Sequence, residues 1–249
     1  MQIFPIKTEK IEPSDNLVEL VLKSAKLQNG DIIGIVSKVV SLTEGRLIQL
    51  QNFPQEKKTA LKRFGAYAPN PALDALVRTE ADTTFPGDMF LTIKNNIFTP
   101  AAGIDTSNVP ENHAILWPKD SYRSAEKIRS ALKSHVTSHT SRVNLGVLIF
   151  DSFLLPLRRG VTGIALGYSG FHGIENYKGK KDLFQKPLKV TSKNIADNLA
   201  ATATLVCGEG DESIPFVILR NAPVKFTNTK IRRSEIQMPP DECFYKSLY

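Results

Sequence analysis

Apolar positions in this chain recur in two periods, and the period decides each element. Leu17, Leu20, Val21 and Ala25 return every three to four residues and predict a helix, with Ser14 placed to cap it. Gly30-Asp31 then turns the chain into Ile32–Val40, an apolar run that reads as one buried strand. Pro71–Ala81 carries Leu73, Leu76 and Val77 on one helical face. Met89–Ile93 and Ile97–Thr99 flank Asn95-Asn96, a pair suited to a two-residue hairpin turn. Ser121 opens the clearest helix, with Ala125, Ile128 and Leu132 inward. Val143–Phe150 predicts a buried strand and Val161–Tyr168 a glycine-interrupted one. Ser192 is placed to cap a helix through Ile195, Leu199, Ala203 and Val206 that stops at Gly208, and Pro215–Leu219 is a last strand. Helices and strands do not alternate regularly, so the fold class expected is α+β with mixed sheets. The pattern supports one domain over residues 1–222. It fades from Pro223, which leaves residues 223–249 as a basic, loosely held tail.

Composition changes this picture only at its edges. The 249 residues carry 32 Lys and Arg against 25 Asp and Glu, a formal charge of +7. A surplus of that size suits an anionic partner or simple solubility. The longest apolar run, Leu145–Phe150, is far short of the ~20 residues that span a bilayer, and no basic stretch followed by an apolar one marks the first residues. A cytoplasmic protein without membrane contact is expected. Cys207 and Cys243 cannot build a disulfide framework or, with scattered histidines, a zinc site. His135 and His139 stand four apart on a helix end, either as two metal ligands lacking a third or as solvated side chains. The lysines at 178, 180, 181, 186, 189 and 193 have only Tyr177 and Phe184 as aromatic company, so they read as a solvated basic face and no nucleic-acid partner is expected.

Nucleotide-binding glycine motifs and hydrolase signatures are missing, and the candidate chemistry lies in five short polar segments. Asp105 and Asn108, in Gly103–Asn108, offer a carboxylate and an amide to a cation or nucleotide, or else bond their own backbone in an Asx-turn. Asp151-Ser152 directly follows a buried apolar strand, a position that handles metal or phosphate, or merely turns the strand end. Arg158-Arg159 suits a bidentate grip on phosphate or carboxylate, or is a solvated pair. Cys207–Ser213 is acidic and glycine-rich: Gly208 and Gly210 let backbone N–H groups approach phosphate, Glu209 could ligate a metal, and Asp211 and Glu212 would tolerate phosphate there only through a cation, or else the segment is a solvated turn. Ser37 and Lys38, at the end of the first buried strand, could meet phosphate oxygens, or Lys38 could lie along an edge strand.

Taken together, these segments resemble the coenzyme F420-0:γ-glutamyl ligase family. The similar stretches are Gly30-Asp31 with Ser37–Ser41 and Glu44-Gly45-Arg46; Ala102–Val109; Ser124–Arg129; Arg158–Gly163; Lys181–Phe184; and Gly208-Glu209-Gly210 before Ile214-Pro215. They follow the family order over nearly the whole chain.

The resemblance implies an α+β protein of intertwined lobes, a homodimer, and a reaction that uses GTP with Mg²⁺ or Mn²⁺ to join L-glutamate in γ-linkage to a carboxylate acceptor. By position Asp105, Asp151 and Glu209 match metal ligands, and Ser152 stands where the family has a metal-binding threonine. Asn108 and the loop containing Gly208, Gly210 and Asp211 match nucleotide contacts, with Ser37 and Lys38 matching more loosely. Arg158 and Arg159 would orient an anionic acceptor. Two departures stand out. Ser152-Phe153-Leu154-Leu155-Pro156-Leu157 is apolar where the family is polar, which points to a reshaped acceptor pocket and admits a folate beside the deazaflavin F420-0, or a non-catalytic nucleotide-binding relative. Leu42 replaces a common lysine, which admits ATP beside GTP.

Overall fold

The computed structural model describes residues 1–53, 70–85, 91–136 and 143–248. In chain order they form β1 (Gln2–Ile6), α1 (Leu17–Ser24), β2 (Asp31–Val36), α2 (Ser37–Thr43), β3 (Leu47–Gln49), α3 (Pro71–Glu80), β4 (Thr83–Phe85), β5 (Leu91–Lys94), β6 (Ile97–Pro100), β7 (His113–Ile115), α4 (Ser121–Lys133), β8 (Leu145–Leu154), β9 (Val161–Ser169), β10 (Ile174–Asn176), β11 (Ser192–Asn194), α5 (Ile195–Cys207) and β12 (Phe216–Arg220). This is an α+β protein of two compact units, each assembled from two stretches of chain: 1–43 with 120–236, and 44–119 with 237–249. No helix of the described residues is long and apolar enough to cross a membrane.

The first unit is built on a five-stranded sheet of order β1-β12-β2-β8-β9, in which only the β2–β8 pair is parallel. Strand periodicity splits its side chains between two cores. Ile32, Leu148, Phe150, Val217 and Leu219 face α5, with Leu199 and Ala203. Ile33, Ile35, Val147, Ile149 and Ile218 face the opposite layer, where α1 and α4 supply Val21, Ala125 and Leu132. Both faces are covered, which is why these strands read as continuous apolar runs.

The second unit pairs β4, β5 and β6 as an antiparallel meander and β3 with β7 as a short ladder. Its core gathers Leu50, Leu73, Leu76, Val77, Ala114 and Leu116 around α3. Asn95 and Asn96 take φ of 53° and 60°, the left-handed pair that the β5–β6 turn requires. β5 begins at Leu91, and Met89 and Phe90, included in the sequence-predicted strand, lie outside the described residues.

Several expectations are corrected. Ile32–Val40 is two elements, since β2 stops at Val36 and Ser37 starts α2. A strand and a short helix buried on both sides give the same unbroken apolar run. β8 continues past Phe150 to Leu154, because β9 pairs with its outer half down to Val161. Two caps move as well: Asn16 and Asn194 accept the first-turn N–H groups of α1 and α5, not Ser14 and Ser192, while α4 opens at Ser121 as expected, with Asp120 as its cap. Residues 223–236 are not loosely held. Ile231 is buried, Phe226 bridges Phe171, Arg129 donates to Thr227 O and Asn228 Oδ1, and Glu235 accepts from Tyr168 Oη at 2.6 Å. These anchors are single side chains at irregular spacing, so no periodicity reveals them.

Candidate active site

In the first unit three of the polar segments end at one edge of the sheet. The last rung of the parallel β2–β8 pair is Val36 with Phe150. Ser37, the first residue of α2, and Asp151, inside β8, therefore both follow the last parallel rung, on the carboxyl side of the pair where open sheets place their ligands. β12 runs antiparallel to β2 and starts opposite Ile35, so the loop before it arrives at the same edge, where Val36 N donates to Pro215 O at 3.0 Å. That loop is the acidic, glycine-rich segment that follows α5.

Asp151 and Ser152 are half-buried and pair across β9 with Ile164 and Gly163. Ser152 N donates to Asp151 Oδ1 at 3.0 Å, and Ser152 Oγ donates to Glu209 Oε1 at 2.5 Å. Glu209 reaches Ser152 because α5 lies tightly on β9: a Cβ on Gly163 would overlap Thr204 Oγ1 and the carbonyl of Ala200. Gly163 is thus the residue that lets the end of α5 approach β8. A glycine inside the strand pattern Val161–Tyr168 was its only signal in the sequence.

After Cys207 the chain turns through Gly208, whose φ of 76° lies in the left-handed region and whose missing Cβ leaves room for the Glu212 carboxylate. Glu212 folds back and accepts Gly210 N at 2.8 Å, so it organises the turn that presents Glu209. Gly210 and Asp211 are exposed. Burial, and then the neighbouring Glu209 carboxylate, push the Cys207 thiol up to about 12, which leaves it an inert core group. Ser37 is buried and Lys38 half-buried at the start of α2. Arg158 and Arg159 are exposed on the β8–β9 turn, beside Leu157 at a φ of 58°.

Asp105 and Asn108 lie in the second unit. Asp105 bridges Ile115 through two backbone hydrogen bonds of 3.0 and 2.8 Å. Its Oδ1 accepts Ser107 N at 2.6 Å and its Oδ2 accepts Ser107 Oγ at 3.0 Å, so the Asx-turn alternative describes the local bonding. Just before it Ala101, Ala102 and Gly103 take φ of 49°, 52° and 70° in succession. Left-handed backbone costs roughly 1–2 kcal/mol per non-glycine residue. The turn is held by Ala102 N donating to the buried Thr92 Oγ1 at 2.9 Å and by the Trp117 ring filling the space where Gly103 lacks a Cβ.

Asp105, Asp151, Ser152 and Glu209 offer oxygen ligands, and the Cys207 thiol is buried. Among the described residues no three His, Cys, Asp or Glu converge as a metal cluster. The oxygen ligands available, the Asp151 and Glu209 carboxylates and the Ser152 hydroxyl, are of the type a hard cation takes together with phosphate and water. His135 is exposed beyond α4, and His139 lies outside the described residues.

The chain matches the model of the F420-0:γ-glutamyl ligase family over residues 5–221. Proteins named coenzyme F420:L-glutamate ligase are similar to it along almost their full length. The one from Methanopyrus kandleri is 33% identical over 98% of this chain and 97% of its own. That of Archaeoglobus fulgidus is 33% identical over 100% and 99%, and that of Methanocaldococcus jannaschii 35% identical over 93% and 90%. With the carboxyl-edge site, the acidic glycine turn and this match in hand, the chain belongs to the F420-0:γ-glutamyl ligase family, ligases that form a carbon–nitrogen bond.

Proposed function

We propose that this protein joins the amine of L-glutamate to a carboxylate acceptor in γ-linkage, with GTP as phosphoryl donor and Mg²⁺ or Mn²⁺ bound. The observation that carries the reading is the meeting of Ser37, Asp151-Ser152 and the Gly208–Pro215 loop at one sheet edge, with Ser152 bonded to Glu209.

Asp151 and Glu209 would hold the cation, with Ser152 fixing the Glu209 carboxylate. When bound, the divalent cation neutralises triphosphate charge as it develops in transfer. The backbone N–H groups of the glycine turn and the Ser37 hydroxyl position the phosphates, with Lys38 as their counter-charge. In the second unit Asp105 and Asn108 take the cation-binding and nucleotide-binding roles that the resemblance gives them. The acceptor carboxylate attacks the γ-phosphorus and the nucleoside diphosphate leaves. The glutamate amine then attacks the resulting acyl phosphate, loses a proton and expels inorganic phosphate. Arg158 and Arg159 steer the acceptor, whose carboxylate their guanidinium groups match.

The deazaflavin F420-0 is the acceptor favoured by the family. The apolar Phe153–Leu157 stretch supports a folate as the second acceptor, since it offers an aromatic bicycle a nonpolar wall. The exposed leucines of the same hairpin, Leu155 and Leu157, support a homodimer that covers them.

The deciding experiment incubates the protein with GTP or ATP, Mg²⁺ or Mn²⁺, glutamate and each acceptor, and reads products by mass spectrometry. A glutamate mass added to F420-0 with GTP is the expected result. Nucleotide binding without turnover on either acceptor would identify a non-catalytic relative instead.

A further inference from the structure

The positive charge of this chain is not evenly spread. Residues 174–194 hold six lysines and two acids, so 21 residues supply +4 of the net +7, and no arginine is among them. They form an ordered arm. β10 and β11 pair at its base, and beyond them Tyr177 N donates to Thr191 O at 3.0 Å, Leu188 N to Lys180 O at 2.8 Å and Asp182 N to Lys186 O at 2.9 Å.

Both acids are spent on holding the arm. Asp182 Oδ1 accepts Phe184 N and Lys186 N at its tip, at 2.8 and 2.9 Å. Glu175 at its base receives Lys193 at 2.7 Å and Lys180 at 3.4 Å, and Lys180 Nζ also sits 3.9 Å from the centroid of the Tyr177 ring. Lys178, Lys181, Lys186 and Lys189 are exposed and enter no ion pair among the described residues. Four unpaired ammonium groups on a hydrogen-bonded ribbon form a preorganised cationic strip. Ammonium groups on flexible stems suit a series of separate carboxylates, while bidentate phosphate recognition favours arginine. Bases would need aromatic platforms, and Tyr177 is already covered by lysine.

We propose that this arm holds the γ-glutamyl tail of an acceptor already extended, so that the lysines raise affinity for multiply glutamylated substrate. The proposal rests on the ligase reading above and assigns to it a second, anionic peptide subsite.

The test uses the full chain and a fluorescent tetra-γ-glutamate peptide, with the fourfold variant Lys178→Gln, Lys181→Gln, Lys186→Gln and Lys189→Gln. All four positions are exposed, so the variant should fold. The wild type should bind the peptide with affinity that falls as salt rises, and the variant should bind about tenfold more weakly, the combined effect of four weak exposed pairs. In the ligase assay both proteins should add the first glutamate equally, with the variant's products shifted to shorter tails. Equal peptide binding or equal tail lengths would overturn the proposal. Tighter binding of single-stranded DNA of matched charge, lost in the same variant, would overturn it in favour of a nucleic-acid surface. If neither protein adds a first glutamate, the ligase reading fails, and the peptide titration alone decides the arm.

Discussion

Ser152 Oγ and Glu209 Oε1 stand 2.5 Å apart and tie the outer half of β8 to the turn that ends α5. One residue is held by strand pairing and the other by a glycine turn, so the separation is set by the backbone on both sides. Glu209→Gln is expected to lower kcat at least about a hundredfold, since it removes the charge proposed to bind the cation and weakens the Ser152 bond. Glu209 is exposed, so unfolding free energy should stay within about 0.5 kcal/mol of wild type. Steady-state kinetics with a metal titration, alongside chemical denaturation, check both halves. Near-normal activity with unchanged metal dependence would remove Glu209 from the site.

Gly163→Ala tests the packing that brings this pair together. The added methyl meets the Ala200 carbonyl, which is helix backbone and cannot step aside, so α5 must shift off β9. A loss of about 1–3 kcal/mol is expected, together with reduced kcat in the molecules that remain folded. The control is Thr204→Ala: its buried Oγ1 has no hydrogen-bond partner among the described residues, so removing it should be neutral or stabilising. Thermal unfolding of both variants separates the two outcomes.

Arg220 and Asp31 join β12 to β2 through two bonds of 2.8 Å, with the carboxylate wholly buried. Arg220→Met would leave that charge without its cation and should cost about 3–5 kcal/mol. The double variant Asp31→Leu with Arg220→Met should recover most of the loss. Urea denaturation midpoints would show it, and an additive double variant would refute the pairing as the cause.

The lysine arm should respond to acid. Hydrogen bonds from Lys193, and secondarily from Tyr177 and Lys180, hold the Glu175 carboxyl down at about 2 against an ordinary 4.5. A lowered carboxyl supports the folded arm fully above pH 4.5 and loses that support as pH falls toward 2. Amide protection factors across residues 177–191, taken against the intrinsic exchange rate at each pH, should therefore fall as pH drops from 4.5 toward 2. In Lys193→Met the loss should be smaller and complete at a higher pH, because the folded carboxyl value moves up toward 4.5. An unchanged profile would show that Lys193 does not set the titration.

Much of this architecture is legible from residue order. Asn95-Asn96 announces its hairpin because few residues tolerate two successive left-handed positions. Leu73, Leu76 and Val77 announce α3 by spacing alone. What periodicity misses is local competition and distance. At Val36 nothing in an apolar run tells β2 from α2. Asn16 outcompetes Ser14 as a cap only once the first N–H groups of α1 are placed. Ser152 and Glu209 are visible as polar residues in suggestive settings, but the glycine contact that brings the end of α5 toward Ser152 joins residues 163 and 204, too far apart for any spacing rule. Asp105 shows the reverse: its Asx-turn is one of the two readings its sequence offers, while nothing there marks the left-handed Ala101–Gly103 backbone before it.

The sheet order has a consequence for how the protein is made. Among the described residues β1 has β12 as its only partner in the sheet, and the register joins Gln2 to Arg220. During synthesis β1 emerges first and its mate last, with the parallel β2–β8 rungs also waiting on residues more than a hundred positions downstream. Until then the ribosome carries a chain with open strand edges, the surface on which neighbouring chains stick. Closure over such distances is slow. Slower translation at reduced temperature should therefore raise the soluble yield of the full chain, while stopping translation before residue 216 should leave no stable first unit at all.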